Sequence, residues 1–235
     1  MKGKKLFDLK TLGELKKGFF IKRQNRFVGI CNIDNKEKTC HIADPGRLKE
    51  ILTEGREVLV VKNKPDLKLD YKLIAVKMEE GWILLNTSIH SKIAKKAIKE
   101  GILGFIPEKI KSEVKFGESR LDFLINEDLF VELKGSNLLF KDRCLFPDAP
   151  TQRGARHLEE LIKAVEEGFK ASILIMGLRE CKCFGINKEL DPKFWNTFKK
   201  ALEKGVSYKG FKVKIDRDFN VVLNGELPLC EREKE

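Results

Sequence analysis

The sequence predicts an α/β protein, α+β overall, built in two parts. Residues 1–86 form a small OB-like β-barrel, and residues 87–235 form a domain ordered α-β-β-β-α-β about a mixed central sheet. Three observations carry this. Short strand-like runs separated by turn residues fill the chain up to residue 86. Helical periodicity begins at 87. Three consecutive strand-like runs then lead to a helix and to ASILIMG, a nearly continuous apolar run of the kind found in buried strands.

In the first part the strand-like runs are GFFIKR (18–23), RFVGICNI (26–33), TCHIA (39–43), REVLVV (56–61), KLIAVKM (72–78) and WILLN (82–86). Pro45-Gly46 turns the chain, and RLKEILTEG reads as a short helix. This pattern fits an OB-fold, though periodicity alone equally allows another small barrel. In the second part Thr87 or Ser88 caps a helix with Ile89, Ile93, Ala94, Ala97 and Ile98 on its apolar face, closed by Gly101. SEVKF, RLDFLI and LFVELK follow as strands, and GSNLLFKDRCLFPDAP reads as a loop. Thr151 to Glu167 is helical, with Leu158, Leu161, Ile162 and Val165 inward. Asp191-Pro192 opens a further helix, and FKVKI with FNVVL suits a closing hairpin.

The chain carries a net charge of +11. The excess is concentrated at the front, where residues 1–30 hold nine Lys/Arg against Asp8 and Glu14. A polyanion partner is one physical reading and a merely soluble basic surface is the other. No apolar run reaches transmembrane length and no signal peptide is evident, so a cytoplasmic protein is expected. Free thiols are then the expectation for the six cysteines. Cys181-x-Cys183 with Cys144 and His157 lacks the spacing of a zinc finger.

The charges inside the three central strands are the main chemical signal. Gly117-Glu118 suits a two-residue II′ turn, which pairs Phe116 with Ser119, Lys115 with Arg120 and Glu113 with Asp122. A three-residue turn at Asn126-Glu127-Asp128, with Asp128 left-handed, pairs Ile125 with Leu129, Asp122 with Glu132 and Arg120 with Lys134. An acidic row, Glu113-Asp122-Glu132, then lies beside a basic row, Lys115-Arg120-Lys134. Leu121, Phe123, Ile125, Val131 and Leu133 take the opposite face. A two-residue slip would instead pair Asp122 with Lys134 as an ordinary cross-strand ion pair.

Adjacent carboxylates require a cation or a raised pKa. A hard divalent ion, Mg²⁺ or Mn²⁺, takes oxygen ligands, which Asp122, Glu132 and Glu113 can supply together with the Leu133 carbonyl. Such an ion stabilises charge building on a phosphorus centre. Lys134 points to the same face, completing the D…E-x-K arrangement of metal-dependent nucleases. Arg153, His157 and Glu160 share one stripe of the following helix, with Arg156 beside them. Its N-terminus is a candidate phosphate site.

FIKRQNRF (20–27), HIADPGRL (41–48), SRLDFL (119–124), VELKG (131–135), FPDAPTQRGARHLEEL (146–161) and LDPKFWNTFKKALEKGV (190–206) resemble the landmarks of the sugar fermentation stimulation protein A family along nearly the whole chain. The resemblance implies an N-terminal OB-like domain and a restriction-endonuclease-like domain related to PD-(D/E)xK nucleases. It also implies DNA binding and a regulatory role in sugar catabolism. Carried over by position, the nuclease-like residues are Asp122, Glu132 and Lys134, with Glu113 as a further acid. Departures are Asp44, where the family often has Asn, and Gly135-Ser136-Asn137 in place of a more apolar run. The expected nucleic-acid contacts are Arg23, Asn25, Arg26, Phe27 and Arg47 on the barrel, with Phe27 for stacking, and Arg120, Arg153, Arg156 and His157 on the second domain.

Overall fold

The computed structural model describes residues 2–231. It divides into two units. One comprises Lys2–Ile93 with Lys214–Leu223, the other Ala94–Val213 with residues 224–231. The division falls inside a helix and returns a late segment to the first unit.

The first unit begins with β1 (Lys5–Asp8), which the sequence reading did not anticipate. Then come β2 (Leu15–Asn25), β3 (Val28–Ile33), β4 (Lys36–His41), β5 (Glu57–Lys62), β6 (Tyr71–Met78) and β7 (Gly81–Leu84). The order is β4-β3-β2-β5-β6-β7, and a parallel pairing of β4 with β6 closes the first five into a barrel. Closure removes the exposed edges that an open sheet would leave. The alternating burial of β3, with Gly29, Cys31 and Ile33 inward, follows from the period of two.

The expected helix at RLKEILTEG is instead a single turn, in which the N–H groups of Ile51 and Leu52 both reach Leu48 O. Leu48 has φ 52°, outside the helical region, while Leu48 and Ile51 are fully buried. Placing these side chains in the core takes precedence over helix formation.

The chain continues through α1 (His90–Lys99), β8 (Ile110–Phe116), β9 (Ser119–Ile125), β10 (Leu129–Ser136), β11 (Leu138–Phe140), β12 (Arg143–Phe146), α2 (Gln152–Glu166), β13 (Lys170–Gly177), β14 (Cys183–Ile186), α3 (Pro192–Glu203), β15 (Ser207–Ile215) and β16 (Asn220–Glu226). The main sheet of the second unit runs β15-β13-β10-β9-β8. Its centre is parallel, β10 with β13 and β13 with β15, and its β8-β9-β10 flank is antiparallel. This is the mixed sheet expected. Asn86, rather than Thr87 or Ser88, caps the turn that leads into α1. Thr151 and Asp191 cap α2 and α3 through their side chains.

Helices α2 and α3 pack together, and α2 lies on β9, β10 and β13. Leu158, Leu161, Phe194, Phe198, Ile173 and Ile175 form the core beneath them. The supposed loop after β10 contains β11 and β12, which join β14 in a small separate sheet. That sheet corrects the cysteine expectation. Cys144 is bonded to Cys181 and Cys183 to Cys230, leaving Cys31 and Cys40 as buried free thiols. Pairing of β12 with β14 draws together cysteines that lie far apart in the chain. Among the described residues, no helix is long and apolar enough to cross a membrane.

Candidate functional site

The register of the central strands is the one the turns predict, up to a point. Phe116 faces Ser119 and Lys115 faces Arg120 across β8 and β9. Gly117 takes the positive φ of a II′ turn. On the other side, Ile125 faces Leu129 and Phe123 faces Val131. Here the left-handed residues are Asn126 and Glu127, at φ 47° and 66°, rather than Asp128. Asn126 tolerates this because its side-chain oxygen accepts the N–H groups of Glu108 and Lys109.

Pairing of β9 with β10 ends at Phe123 and Val131. Asp122 and Glu132 are the next residues on each strand, and there the Asp122 carboxylate takes the place of a backbone acceptor. Its Oδ2 receives the Leu133 N–H at 2.7 Å. Opposite, Glu113 adopts φ 56° within β8, and no pairing forms between Ser112–Phe123 and Val114–Leu121. A non-glycine residue with this φ inside a strand stores strain, as often occurs at functional positions. Burial along β9 still alternates, with Ser119, Leu121, Phe123 and Ile125 buried. Leu121 lies in the core beneath α2, and part-buried Leu124 packs against it.

The electrostatics distinguish the two acids. Burial and the neighbouring Glu132 push the Asp122 carboxyl up to about 7, with a further push from Glu113, against the Leu133 hydrogen bond and Lys134. Glu132 is 2% exposed. Burial raises its pKa too, but Lys134 and His157 outweigh that and hold it below the ordinary value. Both partners use one oxygen, since Lys134 Nζ and His157 Nδ1 each contact Glu132 Oε1. Glu132 Oε2 is buried and has no hydrogen-bond partner among the described residues. Arg153 Nε donates to His157 Nε2 at 3.3 Å, so the ring N–H is on Nδ1 and points at Glu132.

The helix stripe expected to grip phosphate is thus used otherwise. His157 is buried against Glu132. Glu160 reaches the β8–β9 turn, where its Oε1 accepts the Glu118 N–H at 3.1 Å. At the start of α2, the Gly154 N–H is taken by Thr151 Oγ1 and the Thr151 N–H by Asp191 Oδ2. Arg120, Arg153 and Arg156 are exposed. Sequence reasoning missed the His157–Glu132 contact, the Asp191 link and the capture of the Leu133 N–H. The FPDA…HL motif was the available signal for the first of these.

The donor set fits a hard divalent cation. Asp122 and Glu132 would be the side chains to hold one, and Glu132 Oε2 lacks a hydrogen-bond partner among the described residues. Among the described residues no three His, Cys, Asp or Glu side chains form a ready metal cluster, so Glu113 does not complete a three-carboxylate set. Main-chain oxygen and water have to fill the remaining positions.

On the barrel, the expected residues form a second constellation of two loops. The Arg23 guanidinium donates to Gly46 O and Arg47 O, both at 2.7 Å, and to Arg26 O at 2.6 Å. Asn25 Oδ1 accepts the Phe27 N–H at 2.9 Å. Arg26 Nε donates to Pro45 O at 3.0 Å, and its guanidinium lies 5.5 Å from the Phe27 ring centroid. Phe27 is 47% exposed, and Arg26 and Arg47 are also exposed. Arg23 therefore ties the two loops together, while Arg26, Phe27 and Arg47 remain presented to solvent.

Comparison with known proteins agrees with this architecture. Residues 88–219 match the family model described as the sugar fermentation stimulation protein RE domain, and residues 21–85 match the SfsA N-terminal OB domain. A sugar fermentation stimulation protein homolog of Thermotoga petrophila is 38% identical over 215 residues, covering 91% of this chain and 95% of its own. Another, from Sulfolobus acidocaldarius, is 44% identical over 185 residues, covering 78% and 76%. The solved structure of Pyrococcus furiosus SfsA in complex with Ca²⁺ superposes with a TM-score of 0.88 at 30% identity, covering 97% of this chain and 100% of that one. With the OB-like barrel, the mixed sheet and near full-length likeness in agreement, the chain belongs to the sugar fermentation stimulation protein family.

Proposed function

We propose that this protein is a cytoplasmic DNA-binding protein with a phosphodiesterase centre at Asp122, Glu132 and Lys134 that depends on Mg²⁺ or Mn²⁺. The observation that carries the reading is the pair of part-buried Asp122 and buried Glu132 where two strands separate, with Glu132 Oε2 lacking a hydrogen-bond partner among the described residues. The relative from P. furiosus was solved with Ca²⁺, a cation of the same oxygen-seeking class. A bound ion supplies charge stabilisation to the phosphorus centre. Lys134 adds a fixed positive charge on the same side, and the Leu133 hydrogen bond orients Asp122. The barrel contributes exposed Arg26 and Arg47, which neutralise backbone phosphate, and Phe27, on which a base can stack.

A second reading is a DNA-binding regulator of sugar catabolism genes that keeps the nuclease fold without hydrolysis. It is favoured by the engagement of Lys134 with Glu132 and by the lack, among the described residues, of a three-carboxylate cluster. Incubating purified protein with single- and double-stranded DNA and RNA in Mg²⁺ or Mn²⁺ separates the two. The nuclease reading expects cleavage that Asp122→Ala abolishes with binding intact. Intact substrates in every condition, with salt-sensitive DNA binding retained, would leave the regulator.

A further inference from the structure

Glu132 has two chemically different oxygens. Oε1 is engaged by Lys134 Nζ and by His157 Nδ1, and Oε2 by nothing among the described residues. The donors come from different elements, since Lys134 is two residues along the same strand and His157 is on α2. His157 cannot turn away freely. It is 4% exposed, and Arg153 Nε donates to its other ring nitrogen. A carboxylate so held can offer a cation one oxygen but not both.

This difference bears on metal choice. Mg²⁺ and Mn²⁺ favour compact octahedral shells with singly bound carboxylates, whereas the larger Ca²⁺ readily accepts a carboxylate through both oxygens. From the two-donor lock on Oε1 we infer that His157 is a metal-selectivity residue: it makes Glu132 a one-oxygen ligand and so biases the centre against Ca²⁺ and toward the smaller ions. The inference rests on the proposed cation site and deepens it. His157 would touch no substrate and would act only through Glu132, as a positioning residue. Partners of metal-ligating groups commonly change affinity by roughly 10–100-fold when removed.

The test is direct binding with the full chain and no nucleic acid, so no turnover is needed. Calorimetric titration with Mn²⁺ and with Ca²⁺ gives an affinity ratio for the wild type, His157→Ala and His157→Gln. Removal of one of the two donors on Oε1 in His157→Ala weakens the lock and should shift the ratio toward Ca²⁺ by roughly tenfold. His157→Gln retains an N–H donor and should stay close to the wild type. If His157→Ala does not fold, Lys134→Met removes the other donor. It should raise affinity for both ions by deleting a charge, and it should also move the ratio toward Ca²⁺. A wild type that binds and a folded variant with an unchanged ratio would overturn the selectivity role while leaving the cation site standing. So would a His157→Gln ratio as shifted as that of His157→Ala, because bulk rather than the hydrogen bond would then matter. A wild type that binds neither ion overturns both readings.

Discussion

Asp122 Oδ2 accepts the backbone N–H of Leu133 at 2.7 Å, at the point where β9 and β10 cease to pair. A side chain has replaced a strand there. The substitution keeps the N–H satisfied while opening the sheet enough to leave two carboxylates together. The same event is therefore both a break in regular structure and the construction of the candidate site.

The position of Asp122 sets a pH dependence. Its carboxyl is pushed up to about 7 by burial and by Glu132, from 3.8. Between these values the folded chain holds a proton that the unfolded chain has lost, so the stability contribution of this group falls as pH rises from about 4 to about 7. The loss is on the order of a few kcal/mol. Asp122→Asn removes it while keeping an acceptor for Leu133. In thermal unfolding with a chelator present, the variant should melt above the wild type at pH 8, and the gap should narrow at pH 5 and close below about pH 4.

Glu160 and Gly117 fix the β8–β9 turn. Gly117 has φ 54°, and a Cβ there would lie inside contact distance of the Glu160 carboxylate. Gly117→Ala should cost about 1–2 kcal/mol from the left-handed backbone alone, with the clash added. Urea unfolding of Gly117→Ala, Glu160→Ala and the double variant separates the two contributions, because Glu160→Ala alone measures the lost Glu118 hydrogen bond. In the Glu160→Ala background, Gly117→Ala should cost only the backbone part.

The barrel arginines should behave differently from one another. Arg23 is bonded to the carbonyls of Gly46, Arg47 and Arg26, so Arg23→Ala should lower thermal stability. Arg47→Ala should leave stability within about 0.5 kcal/mol and reduce the salt slope of DNA binding by about 1. Affinity measured across a range of salt concentrations, alongside melting curves, tests both. An unchanged slope for Arg47→Ala would remove that residue from the interface.

The two disulfides should respond unequally to a reductant. Cys144 and Cys181 are buried, whereas Cys183 and Cys230 are partly exposed. Under native conditions a phosphine should open Cys183–Cys230 first, as read by thiol labelling and mass spectrometry. With sequence separations of 37 and 47 residues, each bond should stabilise the fold by about 4 kcal/mol on the chain-entropy account. Opening both should therefore lower the melting temperature sharply.

The sequence by itself determined the local elements and their short-range joins. The strand runs of the barrel, the α-β-β-β-α-β order and the turn at Gly117-Glu118 follow from alternation, helical periodicity and backbone preference, which act over a few residues. Those same signals brought Asp122 level with Glu132. Tertiary structure decided the rest. The end of pairing at Phe123 and the left-handed Glu113 follow from no local periodicity, and Leu121 joins a core that α2 completes. The contact of His157 with Glu132 spans 25 residues, and the disulfides span more. Periodicity carries no information at such separations, because these partners meet only when whole elements pack and exclude water. Asp122 and Glu132 were thus legible as neighbours, but the contact that occupies Glu132 Oε1 comes in part from a helix that follows them in the chain.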